Sequence, residues 1–323
     1  MISIVVPCFN ESRGLVLLHE RLARAIQSLP MSVEILFVDD GSEDDTVDVI
    51  HELQRADSHI GLLQLSRNFG KEAALTAGLE YARGDAVIVL DADLQDPPES
   101  IPEMVQAWRE GYDIVAMKRA DRSSDTFFKR KTAGWYYAIL GKLTAVRIPQ
   151  NVGDFRLLSR RAVDALSQLP ERCRYMKGIF AWIGYRTIEI PYKREPRAAG
   201  DTKLPFLKLL ALALDGITSF SIAPLRLASA AGAAVAVGAL LYALAVFAKT
   251  LLYGDPVAGF PTLVIMISFL GGMQLLAIGL LGEYIGRLLI ESKQRPTYLV
   301  DSVELPHFEP DIVSLPRRSA AIR

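Results

Sequence analysis

Asp91-Ala92-Asp93-Leu94-Gln95-Asp96 places two carboxylates one small residue apart, with an amide two positions further on. Carboxylate and amide oxygens are hard donors, suited to a Mg²⁺ or Mn²⁺ ion that also holds a diphosphate. Taken alone, the segment also reads as a solvated acidic turn. Its flanks decide between the two. Ala86-Val87-Ile88-Val89-Leu90 runs straight into it, bounded by Gly84-Asp85 and Pro97-Pro98, as an internal strand of a parallel sheet would. Ligands of open α/β sheets bind beyond the carboxyl ends of such strands, so the acids stand where a ligand would arrive.

The elements that must position them follow from the same pattern. Apolar runs at 2–6, 33–38, 61–65, 86–90 and 113–117 alternate with helical segments from residue 1 to about 118. That alternation predicts parallel pairing through right-handed crossovers. A helix is expected from about Ser42, where Ser42-Glu43-Asp44-Asp45 offers capping-box chemistry. Three more motifs end strands ahead of the acids: Val5-Val6-Pro7-Cys8-Phe9-Asn10-Glu11, Phe37-Val38-Asp39-Asp40-Gly41-Ser42 and Ser66-Arg67-Asn68-Phe69-Gly70-Lys71. All four are expected along one sheet edge. There an Asp can accept from a base N–H and a Lys can offset diphosphate charge. Plainer roles stay open: Pro7 as a strand end, Glu11 as a helix cap, Asp154 as a structural cap. Arg156, Arg160 and Arg161 read as a solvated face.

With 323 residues and a formal net charge of −1, the chain has room for one α/β domain and more, and its bulk charge selects no nucleic-acid partner. No nucleic-acid motif is present either. Mean hydropathy is +0.22, and the apolar excess is localised. Residues 227–248 and 256–282 carry no charged side chain. A hydrocarbon core about 30 Å thick needs roughly 20 apolar helical residues, so two membrane spans are expected. Gly254 to Pro261, between them, lacks Lys and Arg, whereas Arg226 precedes the first span and Arg287, Lys293 and Arg295 follow the second. That asymmetry places both flanks in the cytoplasm of a cell inner membrane, with Lys249 the exception, near the far end of the first span. The first strand is too short for a signal-peptide core, and two cysteines without metal-ligand spacing fit a reducing compartment.

Between Lys118 and Lys131 basic side chains gather, with Phe127, Phe128, Trp135 and Tyr136 among or just after them. Such a mixture suits the lipid headgroup level, although a solvated face is the plainer reading. Residues 204–222 read as amphipathic helices lying on the membrane before the first span. After Glu291 a polar, proline-punctuated tail could add an edge strand to a neighbour. The expected boundaries are 1–203 for the α/β domain, 204–225 for the juxtamembrane helices, 226–290 for the spans and 291–323 for a cytoplasmic tail.

The four motifs in this order, with Val152-Gly153-Asp154-Phe155-Arg156-Leu157, Arg197-Ala198-Ala199-Gly200-Asp201-Thr202-Lys203 and the hairpin, resemble family-two glycosyltransferases of the GT-A fold. More closely the chain resembles their polyprenyl-phosphate branch, the dolichyl-phosphate mannose synthases and bacterial bactoprenol glucosyltransferases, over about residues 2 to 295. The resemblance implies that Pro7, Phe9, Glu11, Asp40, Lys71, Asp91, Ala92 and Asp93 bind a nucleotide sugar, with Asp40 on the base and Asp39 supporting its loop. It implies that Asp91, Asp93 and Gln95 hold Mg²⁺ or Mn²⁺. Arg119 with Arg130 or Lys131 would hold a polyprenyl-phosphate acceptor. Asp93, Asp154, Arg197 and Lys203 are the implied catalytic set, the last two closing over the diphosphate from a loop. Asp201 stands where relatives often have Glu, which touches only loop detail.

The implied reaction is inverting transfer of a hexose, foremost glucose from UDP-glucose, to undecaprenyl phosphate. A phosphate monoester is largely dianionic near neutral pH and needs no base to attack. Mannose from GDP-mannose, another acceptor, a processive synthase and a nucleotide-sugar sensor are the competing readings. A processive synthase would usually carry a Q-x-x-R-W motif, for which Gln106-Ala107-Trp108-Arg109 has the wrong order. Two spans would leave outward movement of the product to a separate flippase, and a homo-oligomer is left open.

Overall fold

A computed structural model describes residues 1–120, 151–169, 171–172, 174, 176–195, 223–253 and 259–306. Arg130, Lys131, Arg197 and Lys203, the expected juxtamembrane helices over 204–222 and the tail beyond 306 therefore lie outside the described residues.

The alternating pattern folds as expected at its start. Strand β1 (Ile2–Cys8), helix α1 (Leu15–Ile26), β2 (Val33–Asp39), α2 (Thr46–Ala56), β3 (Ile60–Leu65), α3 (Lys71–Tyr81), β4 (Ala86–Val89) and α4 (Ile101–Arg109) follow one another, with a short 3-10 turn at Pro98–Ser100. Then come β5 (Ile114–Arg119), β6 (Val152–Ser159), α5 (Arg160–Ser167), α6 (Met176–Trp182) and β7 (Thr187–Tyr192). Two long helices, α7 (Ala223–Tyr253) and α8 (Phe260–Ser292), precede β8 (Val300–Glu304).

Among the described residues eight strands form one sheet in the order β7-β5-β6-β4-β1-β2-β3-β8. Strands β4, β1, β2 and β3 are parallel neighbours, and β7 is parallel to β5. Two strands run against the rest. β6 inserts antiparallel between β4 and β5, so the fifth apolar run does not pair with the fourth. β8 pairs antiparallel with β3 in its own sheet rather than with a neighbouring molecule.

Side chains alternate across the strands, and helices cover both faces, which is why β1–β4 read as continuous apolar runs. On one face Ile2, Ile4 and Val6 of β1 pack with Leu15, Leu18 and Leu22 of α1, Ile50 of α2 and Met104 of α4. On the other, Val5 and Val38 pack with Ala74, Leu75 and Ala77 of α3, Val163 of α5 and Ile179 of α6.

Helix α2 begins at Thr46, four residues later than expected, and its N-cap Asp45 makes no side-chain cap bond. The polar groups read as a capping box hold two loops together instead. Ser42 Oγ accepts from Asn10 N at 2.9 Å, Asn10 Oδ1 accepts from Glu43 N at 2.8 Å, and Thr46 Oγ1 accepts from Glu11 N at 2.9 Å.

Helices α7 and α8 pack against each other and carry exposed apolar side chains along their length, among them Leu241, Leu244, Leu263, Leu275 and Ile278. Among the described residues one stretch, Phe269–Ser292, is long and apolar enough to cross a membrane. It runs further toward the C-terminus than the second expected span. The first expected span lies along α7. The chain then returns to the sheet: Glu291, near the end of α8, accepts from Arg172 N at 2.8 Å, and Leu299 O accepts from Ser66 N at 2.9 Å. Because β8 is antiparallel to β3, it starts at the carboxyl end of β3, the edge where the motifs lie.

Candidate functional site

Four strand ends build a cavity of about 250 Å³ at that edge. Pro7 lines it from the end of β1 and Phe9 and Glu11 from just beyond, Asp40 from just after β2, Lys71 from the start of α3, and Asp91, Ala92 and Asp93 from the turn after β4. All eight residues expected to bind the nucleotide sugar thus share one wall. Cys8, Asn68, Gly70 and Ala74 also line it and were not singled out as site residues, although three of them sit within or beside the quoted motifs. Phe9 keeps 42% of its surface exposed, an apolar ring open to solvent beside carboxylates. Burial and the neighbouring carboxylates push the Cys8 thiol well above its ordinary range, so it packs here as an un-ionised group.

Asp39 and Asp40 serve the loops first. Asp39 accepts from Ser42 N at 3.2 Å, the loop support expected of it. Asp40, 3% exposed, accepts from Phe69 N at 2.7 Å and Gly70 N at 2.9 Å, which ties the end of β2 to the end of β3. Burial raises its pKa against the lowering effect of those two amides. Gly41 lies between them at φ +70°, where an added Cβ would sit 2.5 Å from the carbonyl carbon of Arg67. Leu94 adopts φ +59° while only 3% exposed, an uncommon backbone for a bulky residue, in the turn that carries Asp91 and Asp93.

Lys71 links the acids of two strands. Its Nζ lies 2.7 Å from Asp91 Oδ1 and 2.7 Å from Asp154 Oδ2, so Asp154, on β6, joins the site through this ammonium. The other oxygen, Asp154 Oδ1, is buried with no hydrogen-bond partner. Burial alone would raise Asp154, but Lys71 and Lys177 outweigh it and hold the carboxyl well below the usual range. Glu72, adjacent in α3, shows the opposite outcome: burial and Asp154 push it up to about 7, against Lys71, Lys177 and the Met176 amide. Glu72 is not on the cavity wall.

A second cluster flanks the acids. Tyr192 OH donates to Asp96 at 2.5 Å, and burial raises the carboxyl of Asp96. Arg119, expected to hold the acceptor phosphate, acts by its charge on Tyr192 and Asp96 and keeps a buried Nε without a partner. Arg194 lies 3.9 Å from Asp93 and 4.0 Å from Asp96. Gln95 is off the cavity wall; its N donates to Asp93 Oδ1 at 3.2 Å and its carbonyl accepts from Glu195 N at 3.0 Å. Tyr192, Arg194 and Glu72 were not legible as site residues. The one local signal was the basic run Lys193-Arg194 just before the Arg197 motif.

Arg156 corrects an expectation. It is 4% exposed, not solvated, with its guanidinium 3.8 Å from the Phe180 ring centroid and its Nη2 donating to Gly153 O at 2.6 Å. Burial lowers its pKa to about 10. Arg160 donates to the carbonyls of Ala82 and Gly84, and only Arg161 lies on the surface, paired with Asp113.

Among the described residues no group of three or more His, Cys, Asp or Glu side chains is set to hold a metal ion. The oxygen donors of Asp91 and Asp93 nonetheless fit Mg²⁺ or Mn²⁺, which commonly takes one or two carboxylates and completes its shell with substrate phosphate and water.

A mostly parallel sheet with an acid-lined cavity beyond its strand ends is an α/β architecture of the GT-A type. The chain belongs to glycosyl transferase family 2, which it matches over residues 3–167, and residues 223–288 match the GtrB C-terminal hairpin. It is 48% identical to the bactoprenol glucosyl transferase of Shigella phage SfV, over 93% of this chain and 97% of that one. An uncharacterized glycosyltransferase of Synechocystis is 47% identical, over 94% and 95% of the two chains. A prophage bactoprenol glucosyl transferase homolog of Escherichia coli is 46% identical, over 94% and 99%.

Proposed function

We propose that this glycosyltransferase moves glucose from UDP-glucose to undecaprenyl phosphate with inversion at the anomeric carbon. The observation that carries the reading is the Lys71 bridge. A hydroxyl acceptor needs a base poised near neutral pH. Asp154, the acid on β6 nearest the cavity, is bonded to Lys71 and held far below that range. A phosphate acceptor needs no such base, being already anionic. Its oxygen attacks the anomeric carbon, the bond from that carbon to the diphosphate oxygen breaks, and UDP leaves with the electron pair.

The chain's residues then position, desolvate and neutralise. In this reading the Phe9 ring stacks on the uracil, Asp40 accepts from it, and Lys71 neutralises phosphate charge. A divalent ion on Asp91 and Asp93, with Gln95 reaching it directly or through water, would supply further neutralisation of the leaving diphosphate. Arg119, with Arg130 or Lys131, holds the acceptor phosphate, while Arg197 and Lys203 close over the donor. The arrival of α8 and β8 at the catalytic edge supports an acceptor delivered from a bilayer. In this reading α7 and α8 cross the inner membrane as a two-span hairpin, both flanks are cytoplasmic, and a separate flippase moves the product outward.

Purified protein with Mg²⁺ or Mn²⁺ is expected to pass radiolabel from UDP-glucose, within a panel of UDP- and GDP-sugars, to undecaprenyl phosphate. Asp93→Ala should abolish the labelled lipid. Asp154→Asn should chiefly raise KM for the donor. A labelled lipid from GDP-mannose alone would replace the sugar, and no labelled lipid from any donor would overturn the acceptor. Loss of the chemical step in Asp154→Asn with intact donor binding would restore a base and sink the argument from Lys71.

A further inference from the structure

Two arginines at the same sheet edge behave differently. Arg21, on α1, is fully committed: it donates to both oxygens of Glu99 at 2.9 and 2.7 Å and to both oxygens of Glu195 at 2.8 and 2.9 Å. With the Glu195 N–Gln95 O bond, this double fork fixes the backbone at residue 195 against the acid-bearing turn. Arg194, one residue earlier, makes no hydrogen bond among the described residues. Its guanidinium is held between Asp93 and Asp96 by charge at 3.9 and 4.0 Å, and its Nε is buried without a partner.

A buried donor left unmade is costly, by about 1–3 kcal/mol, and native structures rarely keep one without a use. A purely structural arginine here would look like Arg21. A guanidinium fork fits phosphoryl oxygens two at a time, and this one stands against Asp93, on the wall of the cavity. A divalent cation on Asp93 would compete with Arg194 for that carboxylate, and the displaced fork would be free to take the phosphate that arrives with the metal.

We infer that Arg194 is a further phosphoryl-anion-binding residue of this site, poised on Asp93 and Asp96 and held in place by the Arg21 clamp on Glu195. The inference rests on the site binding a nucleotide diphosphate and a phosphate acceptor, as proposed above. Its ligand is a phosphoryl group, either the donor diphosphate or the acceptor monophosphate.

The test compares the full chain with Arg194→Gln and Arg194→Lys. Calorimetry measures Mn²⁺ alone, then UDP and uridine in the presence of Mn²⁺, and steady-state transfer gives KM for undecaprenyl phosphate. If the diphosphate is the ligand, Arg194→Gln weakens UDP by about tenfold, the scale of a lost charge-assisted bond, with uridine unchanged. If the acceptor is the ligand, its KM rises by a similar factor and UDP affinity stays. The Lys variant should retain part of either affinity. In both cases Mn²⁺ alone should bind at least as tightly to Arg194→Gln, because a competing positive charge has gone. Retained affinity for both phosphates overturns the inference. So does joint loss of phosphate and Mn²⁺ binding, which would mark collapse of the turn. If wild type makes no lipid-linked sugar while UDP weakens in Arg194→Gln as expected, the acceptor proposal fails and the inference stands.

Discussion

Lys71 and Glu72 are neighbours in the chain, yet the site treats their charges in opposite ways. Lys71 finds two carboxylates at 2.7 Å and keeps its proton more firmly than a free lysine. Glu72 meets burial and the charge of Asp154, and its carboxyl is raised to about 7. A folded pKa above the unfolded value near 4.5 contributes stability fully present below about pH 4.5 and lost as the pH rises through 7. Glu72→Gln keeps an oxygen for the Met176 amide and removes the titration. The variant should match wild type near pH 4 and exceed it by about 1–3 kcal/mol at pH 8. Thermal unfolding in detergent from pH 4 to 8 checks this, and a gap that does not widen with pH would show Glu72 is not raised. Such residues were invisible in the sequence for a physical reason. The pKa of Glu72 depends on Asp154 and Lys177, carried on β6 and α6, and no local pattern announces that meeting. Lys71 and Asp91 were legible because each lies in a motif that follows an apolar strand run.

At the level of elements, the site is made by loops that hold one another. The β1 loop is bonded to the β2 loop through Asn10, Ser42, Glu43 and Thr46, and the β2 loop to the β3 loop through Asp40. Gly41 is the close contact between the last two. Gly41→Ala would meet backbone atoms of Arg67 and Asn68 at 2.5 and 2.6 Å and would strain a φ of +70°. The loops must part, so a stability loss on the order of 2–4 kcal/mol and a weaker grip on UDP are expected. A UDP titration with the Tm measured alongside tests this; unchanged UDP affinity would mean Asp40 and the β3 loop are not part of the binding wall. Strands β1–β4 were legible from their apolar runs, since both faces are covered. The capping box was misread because Ser42 and Glu43 bond to Asn10 in a loop some thirty residues away, a partner that local spacing does not reveal. Likewise β6, with Gly153, Asp154 and Arg156, carries no clean alternation. Its place between β4 and β5 is set by partners on both sides, as strand preference commonly is.

For the whole molecule, the decisive feature is that the chain leaves the sheet after β7, runs through the two long helices and comes back. Only residues 293–299 separate the end of α8 from β8, so the long helix is tied to the same sheet edge that carries the cavity. The return is anchored in several places. Tyr298 OH donates to Glu80 at 2.5 Å, Arg83 donates to Pro306 O at 3.0 Å while also binding the buried Glu34, and His51 lies 3.4 Å from Glu304. β8 also covers β3, which would otherwise expose an apolar edge to other chains. A chain stopped after Arg295 loses all of these contacts and keeps the Glu291–Arg172 bond. At about 0.5–1.5 kcal/mol net for each hydrogen bond, the loss should be on the order of 3 kcal/mol or more, seen as a lower Tm and a tendency to aggregate. The cavity itself is built by β1–β4 and the start of α3, so UDP should still bind within about threefold, well under the tenfold that corresponds to 1.4 kcal/mol. Transfer to undecaprenyl phosphate should fall much further, because the site is no longer held at a fixed place relative to the long helices. Equal losses of UDP binding and transfer would place the effect in the cavity. An unchanged Tm with full transfer would mean that β8 neither stabilises the sheet nor orients it toward the acceptor.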